Sequence, residues 1–192
     1  MSAVPNRAAT PQPVFYYDLG DPECYLLAER IMTALPVVPE WEPVLAVDLD
    51  AGERELDRGA VERLALELGI QPLRWPPAWP PDTREAMLAA TYAKRIGRAV
   101  VFSLAAFRQA FAGGRDLGDR DTVLIAGAAC EMHPTALLKG MELRSTSEAL
   151  AAAAARARRV GIRSLPAIQV QGEAFSGASA IADAAAALTD TA

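Results

Sequence analysis

The fold of this 192-residue chain is decided by residues 14–26, which read VFYYDLGDPECYL. The β-branched and aromatic run from Val14 to Leu19 predicts a strand that ends at Gly20. Asp21 is a favourable N-cap and Pro22 suits the first helical position, so a helix is predicted from Pro22 to about Ala34.

A second buried strand is predicted at Val44–Asp48. A strand–helix–strand unit of this spacing has a right-handed crossover, which makes its two strands parallel. Near the other end of the chain, the runs at 167–171 and 174–176 flank Gly172 and predict a β-hairpin. A last helix is predicted from Ala178 to Leu188.

The middle of the chain is predicted to be mostly helical. Its helices are expected at 57–68, at 84–111 with a bend at Gly97, and at 119–132. Ser145 and Glu148 match a capping box, which predicts a further helix to about Val160. Residues 71–81, QPLRWPPAWPP, cannot form a helix interior because proline lacks the amide hydrogen.

These elements predict an α/β fold in which a helical subdomain interrupts a sheet-bearing part. Residues 1–13 are interpreted as a flexible N-terminal arm, residues 14–71 and 142–192 as the sheet-bearing part, and residues 72–141 as the helical insertion. A substrate cleft is expected between the insertion, acting as a lid, and the sheet-bearing part.

Composition excludes several classes of function. The net charge of −5 argues against a nucleic-acid partner, and no apolar run approaches the roughly 20 residues of a membrane helix. Two cysteines and one histidine are too few for a structural metal site, so no metal is expected. The N-terminus has no apolar signal region, so we expect a cytoplasmic protein. The mixed charges from Glu53 to Arg63 are interpreted as a solvated face. A homodimer is left open.

Residues 15–26 resemble the first strand and active-site helix of the cytoplasmic branch of the DsbA superfamily, which has a thioredoxin-like fold with a helical insertion. That branch includes FrnE-type oxidoreductases, 2-hydroxychromene-2-carboxylate isomerases and kappa-class glutathione transferases. Residues 163–170, RSLPAIQV, resemble its cis-proline strand, and residues 75–83 resemble the entrance to its insertion. The resemblance implies that the sheet-bearing part is a thioredoxin-like domain.

The sequence departs from the family pattern at its reactive positions. The redox members carry C-x-x-C at the helix start, whereas here Asp21 replaces the first cysteine and only Cys24 remains. Disulfide exchange needs an attacking thiolate and a resolving thiol, so ordinary dithiol chemistry is impaired. The isomerases and transferases typically carry a serine at the first position. At the closing turn the isomerases often carry an Asp-Arg pair for glutathione, where this chain has Ser179 and Ala180.

The candidate catalytic residues are Asp21 and Cys24. Asp21 either holds a thiol or accepts a proton beside a bound substrate, or it is only a helix cap. Cys24 is either a monothiol nucleophile or an inert thiol. The resemblance implies a cis peptide bond at Leu165–Pro166, with the backbone of Leu165 available to a thiol ligand or peptide.

Trp75 and Ser179 complete the predicted binding residues. Trp75 and Trp79 either line the cleft or cap the core. The resemblance implies a small-molecule or thiol ligand, with glutathione or another low-molecular-weight thiol as cofactor.

Three functions remain open. The first is a glutathione- or thiol-linked enzyme of the isomerase or transferase kind that acts on a small molecule. The second is a thiol-disulfide oxidoreductase with impaired redox chemistry, in which Cys24 acts alone. The third is a non-catalytic protein that binds a peptide or a small molecule.

Overall fold

The computed structural model describes residues 12–49 and 56–189. Most of the predicted N-terminal arm lies outside these residues. The strands are β1 (Val14–Tyr17), β2 (Glu40–Pro43), β3 (Ala167–Val170) and β4 (Glu173–Ser176). The helices are α1 (Pro22–Ala34), α2 (Arg58–Glu67), α3 (Arg84–Arg95), α4 (Ala99–Phe107), α5 (Arg120–Ala128), α6 (Pro134–Glu142), α7 (Arg144–Arg159) and α8 (Ala180–Thr189).

The four strands form one mixed sheet in the order β2-β1-β3-β4. β1 pairs in parallel with β2, with Phe15 opposite Trp41, and antiparallel with β3, with Phe15 opposite Ile168. β3 and β4 form the predicted hairpin, whose two-residue turn places Gln171 and Gly172 at positive φ. Such turns match the twist of the strands that they connect.

The second strand lies earlier than predicted. β2 ends at Pro43, and Val44 still donates its amide hydrogen to the Tyr17 carbonyl at 2.9 Å. The next part of the predicted strand is instead a 3₁₀ turn at Ala46–Asp48. The Ala46 amide donates to the carboxylate of Asp18 at 2.9 Å. The side chain of Asp18, the residue directly after β1, thus binds a backbone group that a longer strand would have used in the sheet.

An aromatic cluster joins the sheet to α4. Phe15, Tyr17 and Trp41 are fully or almost fully buried, and their ring centroids lie 5.1–5.5 Å apart. The Tyr17 hydroxyl lies 2.6 Å from the Ser103 hydroxyl of α4. This hydrogen bond satisfies two buried polar groups, which would otherwise destabilise the core.

The predicted long helix is divided into two. α3 ends just before Gly97, which has a φ of +74°, and α4 begins at Ala99. A π-helical turn, Arg108–Ala112, follows α4. Because positive φ is accessible to glycine at little cost, Gly97 ends the helix rather than bending it.

The predicted capping box at Ser145 is wrong. α7 already begins at Arg144, and the Ser147 hydroxyl donates to the Arg144 carbonyl. Glu148 accepts a hydrogen bond from the Arg144 side chain at 2.6 Å instead of reaching back to a cap. Within the described ranges, no helix is both long enough and apolar enough to cross a bilayer.

Candidate functional site

Asp21 caps the helix whose start lies beside the end of β1. Its Oδ1 accepts hydrogen bonds from the amides of Glu23, at 2.7 Å, and Cys24, at 3.1 Å. Its own amide donates to the Asp18 carbonyl at 3.1 Å. The side chain remains partly exposed. Asp21 therefore performs the structural role of a cap at a position that a ligand can also reach.

Cys24 is sealed inside the protein. Its exposed fraction is 0%, and burial raises the pKa of its thiol well above the ordinary value, with the charge of Asp21 acting in the same direction. Cys130 follows α5, is buried, and also has a pKa raised by burial. Both cysteines are free thiols. Since the thiolate is the reactive form, a raised pKa favours the less reactive, protonated thiol at both positions.

Asp18 is a site residue that the sequence analysis did not single out. Its Oδ1 accepts from the Gly20 amide and the Thr83 hydroxyl, both at 2.9 Å, and its Oδ2 accepts from the Ala46 amide. The residue is only 5% exposed, and burial raises its pKa despite these three donors. The sequence signal for this residue was an acidic side chain directly after a buried aromatic strand. Its partners Ala46 and Thr83 lie far along the chain, so the sequence pattern did not reveal them.

A cleft of about 510 Å³ lies at this end of β1. Its polar lining residues are Asp18, Asp21, Arg58, Thr83, Arg163 and Ser164. Its remaining lining is formed by Gly20, Pro22, Ala46, Val47, Leu49, Leu56, Trp79, Pro80, Pro81 and Leu165. Residues of both the predicted thioredoxin-like part and the predicted insertion therefore surround it. A volume of this size and a mostly apolar lining are typical of small-molecule sites.

Only some of the predicted site residues line the cleft. Asp21 and Leu165 line it, and buried Pro166 follows Leu165 through a cis peptide bond. Cys24 is fully buried in α1 and does not line the cleft. Ser179 is an exposed residue just before α8. Trp79, rather than Trp75, supplies the indole in the lining.

Trp75 supports the wall that Trp79 and Arg58 form. The rings of Trp75 and Trp79 meet edge to face with their centroids 5.0 Å apart. The Arg58 guanidinium carbon lies 4.7 Å from the Trp75 ring centroid and 5.5 Å from that of Trp79. The Trp75 indole nitrogen donates to Glu62 at 2.5 Å. The charge run that includes Arg58 is thus only partly a solvated face.

The helix start does not fit a glutathione thiolate. An ionised carboxylate has no hydrogen to donate, so Asp21 cannot form a hydrogen bond to a thiolate. Its negative charge would also repel the negatively charged sulfur. Ser179 lies outside the cleft lining. No group of three or more potential metal-binding side chains occurs within residues 12–49 and 56–189.

Comparison with known proteins agrees with this architecture. The family model for DSBA-like thioredoxin domains matches residues 14–189, which confirms the predicted fold. The sequence has no significant match among proteins with curated descriptions.

Solved structures support the same fold. A 2-hydroxychromene-2-carboxylate isomerase superposes with a TM-score of 0.81 at 14% identity, covering 93% of this chain and 94% of its own. A structure described as a probable DsbA oxidoreductase from Streptomyces coelicolor has a TM-score of 0.74 at 17% identity, with coverages of 94% and 89%. The oxidoreductase DsbA from Xylella fastidiosa has a TM-score of 0.59 at 15% identity, with coverages of 94% and 82%.

Proposed function

The chain belongs to the DSBA-like thioredoxin family, and we propose that it is an isomerase-type member that acts on a small molecule in the Asp21 cleft. The observation that carries this proposal is the replacement of a surface thiol by a carboxylate. Asp21 lines a cleft of about 510 Å³, whereas Cys24 has no exposed surface. Proton transfer suits such a site better than thiol exchange.

Asp21 is the group that we propose accepts a proton from the bound substrate. Its Oδ1 is fixed by two amide donors, and the positive end of the α1 dipole favours its negative charge. The apolar residues Leu49, Trp79 and Leu165 would hold the substrate and exclude water. The proton moves from the substrate to the carboxylate and returns to a different atom of the substrate, so an isomerisation needs no external oxidant.

The alternative is an oxidoreductase in which Cys24 acts alone. It requires Cys24 to reach a substrate disulfide, which the closed packing around this thiol opposes. It also requires a second thiol for resolution, and Cys130 lies in a different part of the chain, after α5. A non-catalytic binding protein would use the same cleft without turnover.

The test compares Asp21→Asn with a matched cap variant. The wild-type protein is assayed for isomerisation of 2-hydroxychromene-2-carboxylate, for conjugation of glutathione to chlorodinitrobenzene, and for reduction of insulin. Calorimetry with glutathione tests the cofactor separately. We expect isomerase turnover, no glutathione conjugation, no insulin reduction, and a loss of about 100-fold in the isomerase turnover of Asp21→Asn, the lower range for a general base.

Asp119→Asn is the control because Asp119 caps α5 in the same way, by accepting from the Asp121 amide, but lies outside the cleft lining. Its turnover should equal that of the wild type. Insulin reduction that Cys24→Ser abolishes would instead establish the oxidoreductase. Ligand binding without turnover in either enzymatic assay would favour the non-catalytic protein.

A further inference from the structure

We propose that Arg58 is the specificity-determining residue of the cleft and that it selects small organic anions with an apolar body. This inference rests on the proposed function only in taking the cleft as the place where the substrate binds. It is carried by the way in which the Arg58 guanidinium is held. Arg58 lines the cleft and packs against the two tryptophans of the adjoining wall.

The guanidinium of Arg58 forms no hydrogen bond with another described residue. A guanidinium carries five N–H donors, and among the described residues no carboxylate forms an ion pair with this one. Glu62 is the i+4 partner that a helical arginine would normally contact, but it accepts the Trp75 indole hydrogen instead. Oδ2 of Asp57 lies 3.9 Å from Nη2 of Arg63. Glu62 and the N-cap residue Asp57 therefore both have other partners.

The position of Arg58 is not explained by helix stability. It is the first residue of α2, where a positive charge opposes the helix dipole. The two indole rings, with centroids 4.7 and 5.5 Å from the guanidinium carbon, restrain the Arg58 side chain beside the cleft. A planar, fixed cation is suited to bidentate binding of a carboxylate.

The other charged groups of the cleft already form hydrogen bonds within the protein. Asp18 accepts three hydrogen bonds from the protein, and Asp21 caps α1. Arg163 donates to the carbonyls of Arg158 and Ile162. Of the two cations in the lining, Arg163 uses Nη1 for the backbone, whereas Arg58 forms no hydrogen bond with the described residues. The lining also offers Leu49, Leu56 and Trp79 for an apolar body.

Calorimetry with a matched pair of probes tests the inference. 2-Naphthoate and 2-naphthamide have the same apolar body and differ in charge, and both are titrated into the full-length protein. The wild type should bind the carboxylate at least about tenfold more tightly, because one charge-assisted hydrogen bond contributes on that order. Arg58→Gln should abolish this preference without weakening the binding of the amide. Arg58→Lys, which keeps the charge but loses the planar fork, should show an intermediate preference.

Arg63→Gln is the control, because Arg63 lies on the same helix but outside the cleft lining, and it should behave like the wild type. Equal affinity of the wild type for both probes, binding of neither probe, or a preference that survives Arg58→Gln would overturn the inference. A preference lost in Arg163→Gln instead would also overturn the assignment to Arg58. A preference that depends on Arg58 in a protein without enzymatic turnover would leave the inference standing while the proposed function fails.

Discussion

The hydroxyl of Thr83 donates a hydrogen bond of 2.9 Å to Oδ1 of Asp18 and joins the start of α3 to the end of β1 across 65 residues of sequence. Thr83 occupies the N-cap position of α3, yet its side chain forms no capping hydrogen bond. The hydroxyl that would cap the helix is used to hold the two parts of the chain together. The same carboxylate also fixes Gly20 and Ala46, so three segments of the cleft lining depend on Asp18.

Thr83→Val should therefore destabilise the protein by about 1–2 kcal/mol. Valine keeps the shape of threonine, but the buried carboxylate loses a donor. Chemical denaturation measures the free energy of unfolding. Thr33→Val is the control, because the Thr33 hydroxyl donates to the Arg30 carbonyl on the exposed surface of α1. Equal losses in the free energy of unfolding would show that the Asp18–Thr83 hydrogen bond stabilises the protein no more than the exposed Thr33 hydrogen bond does.

Gly20→Ala should destabilise the protein by about 1–3 kcal/mol because there is no room for a methyl group. A Cβ at this position would lie 2.6 Å from Cγ2 of Thr83 and 3.3 Å from Cγ of Pro81. Adding Thr83→Ser should recover much of the loss, because serine lacks the methyl group but keeps the hydroxyl. A double-mutant cycle measures this coupling.

Gly59→Ala provides the contrast for Gly20. A Cβ at Gly59 would meet only the tip of the Arg63 side chain, at 3.2 Å, and a carboxylate oxygen of Asp57, at 3.4 Å. Since alanine is the better helix former, this substitution should raise the free energy of unfolding by up to about 1 kcal/mol. A loss of stability at Gly59 equal to that at Gly20 would contradict the steric argument.

The local elements could be predicted from sequence because short-range chemistry determines them. Asp21 and Pro22 specify the start of α1, and the runs around Gly172 specify the hairpin, since each depends on residues within a few positions. The site was less predictable because Asp18 acquires its partners Ala46 and Thr83 only in the folded chain. Residue pattern alone carries no information about such long-range contacts.

Arg58 and β2 illustrate the same limit. A cation in a run of mixed charges looks solvated until the fold brings Trp75 and Trp79 against it. The apolar run at 44–48 looks like a strand until the Asp18 carboxylate binds the Ala46 amide. In both cases a tertiary contact overrides a valid local preference.

The stability of the protein should fall at alkaline pH in a way that depends on Cys24. Burial raises the pKa of this thiol in the folded state, so its contribution is complete below the unfolded-state pKa of about 8.5 and is lost as pH rises toward the folded-state pKa. One such group changes the free energy of unfolding by up to about 1.4 kcal/mol per pH unit.

Cys24→Ala should therefore flatten the decline between about pH 8 and 9.5, a window chosen below the ordinary tyrosine pKa of about 10. The measurement compares slopes, since removing the side chain also lowers stability at every pH. Cys130→Ala should change the slope less, because Cys130 is less deeply buried. A slope that Cys24→Ala leaves unaltered would contradict the burial of this thiol.

Asp21→Cys should convert the protein into a dithiol enzyme. The new thiol would stand at the N-terminus of α1, where the helix dipole lowers a thiol pKa, and it would complete a C-x-x-C motif with Cys24 as the resolving residue. Insulin reduction should rise clearly above the background of the wild type and fall again in the double variant with Cys24→Ser. Asp119→Cys is the matched control, because it places a thiol at the cap of α5 with Thr122, rather than a cysteine, three positions later. Equal activity of the two cysteine variants would mean that any exposed thiol suffices, and a wild type already as active as Asp21→Cys would show that Cys24 works without a partner.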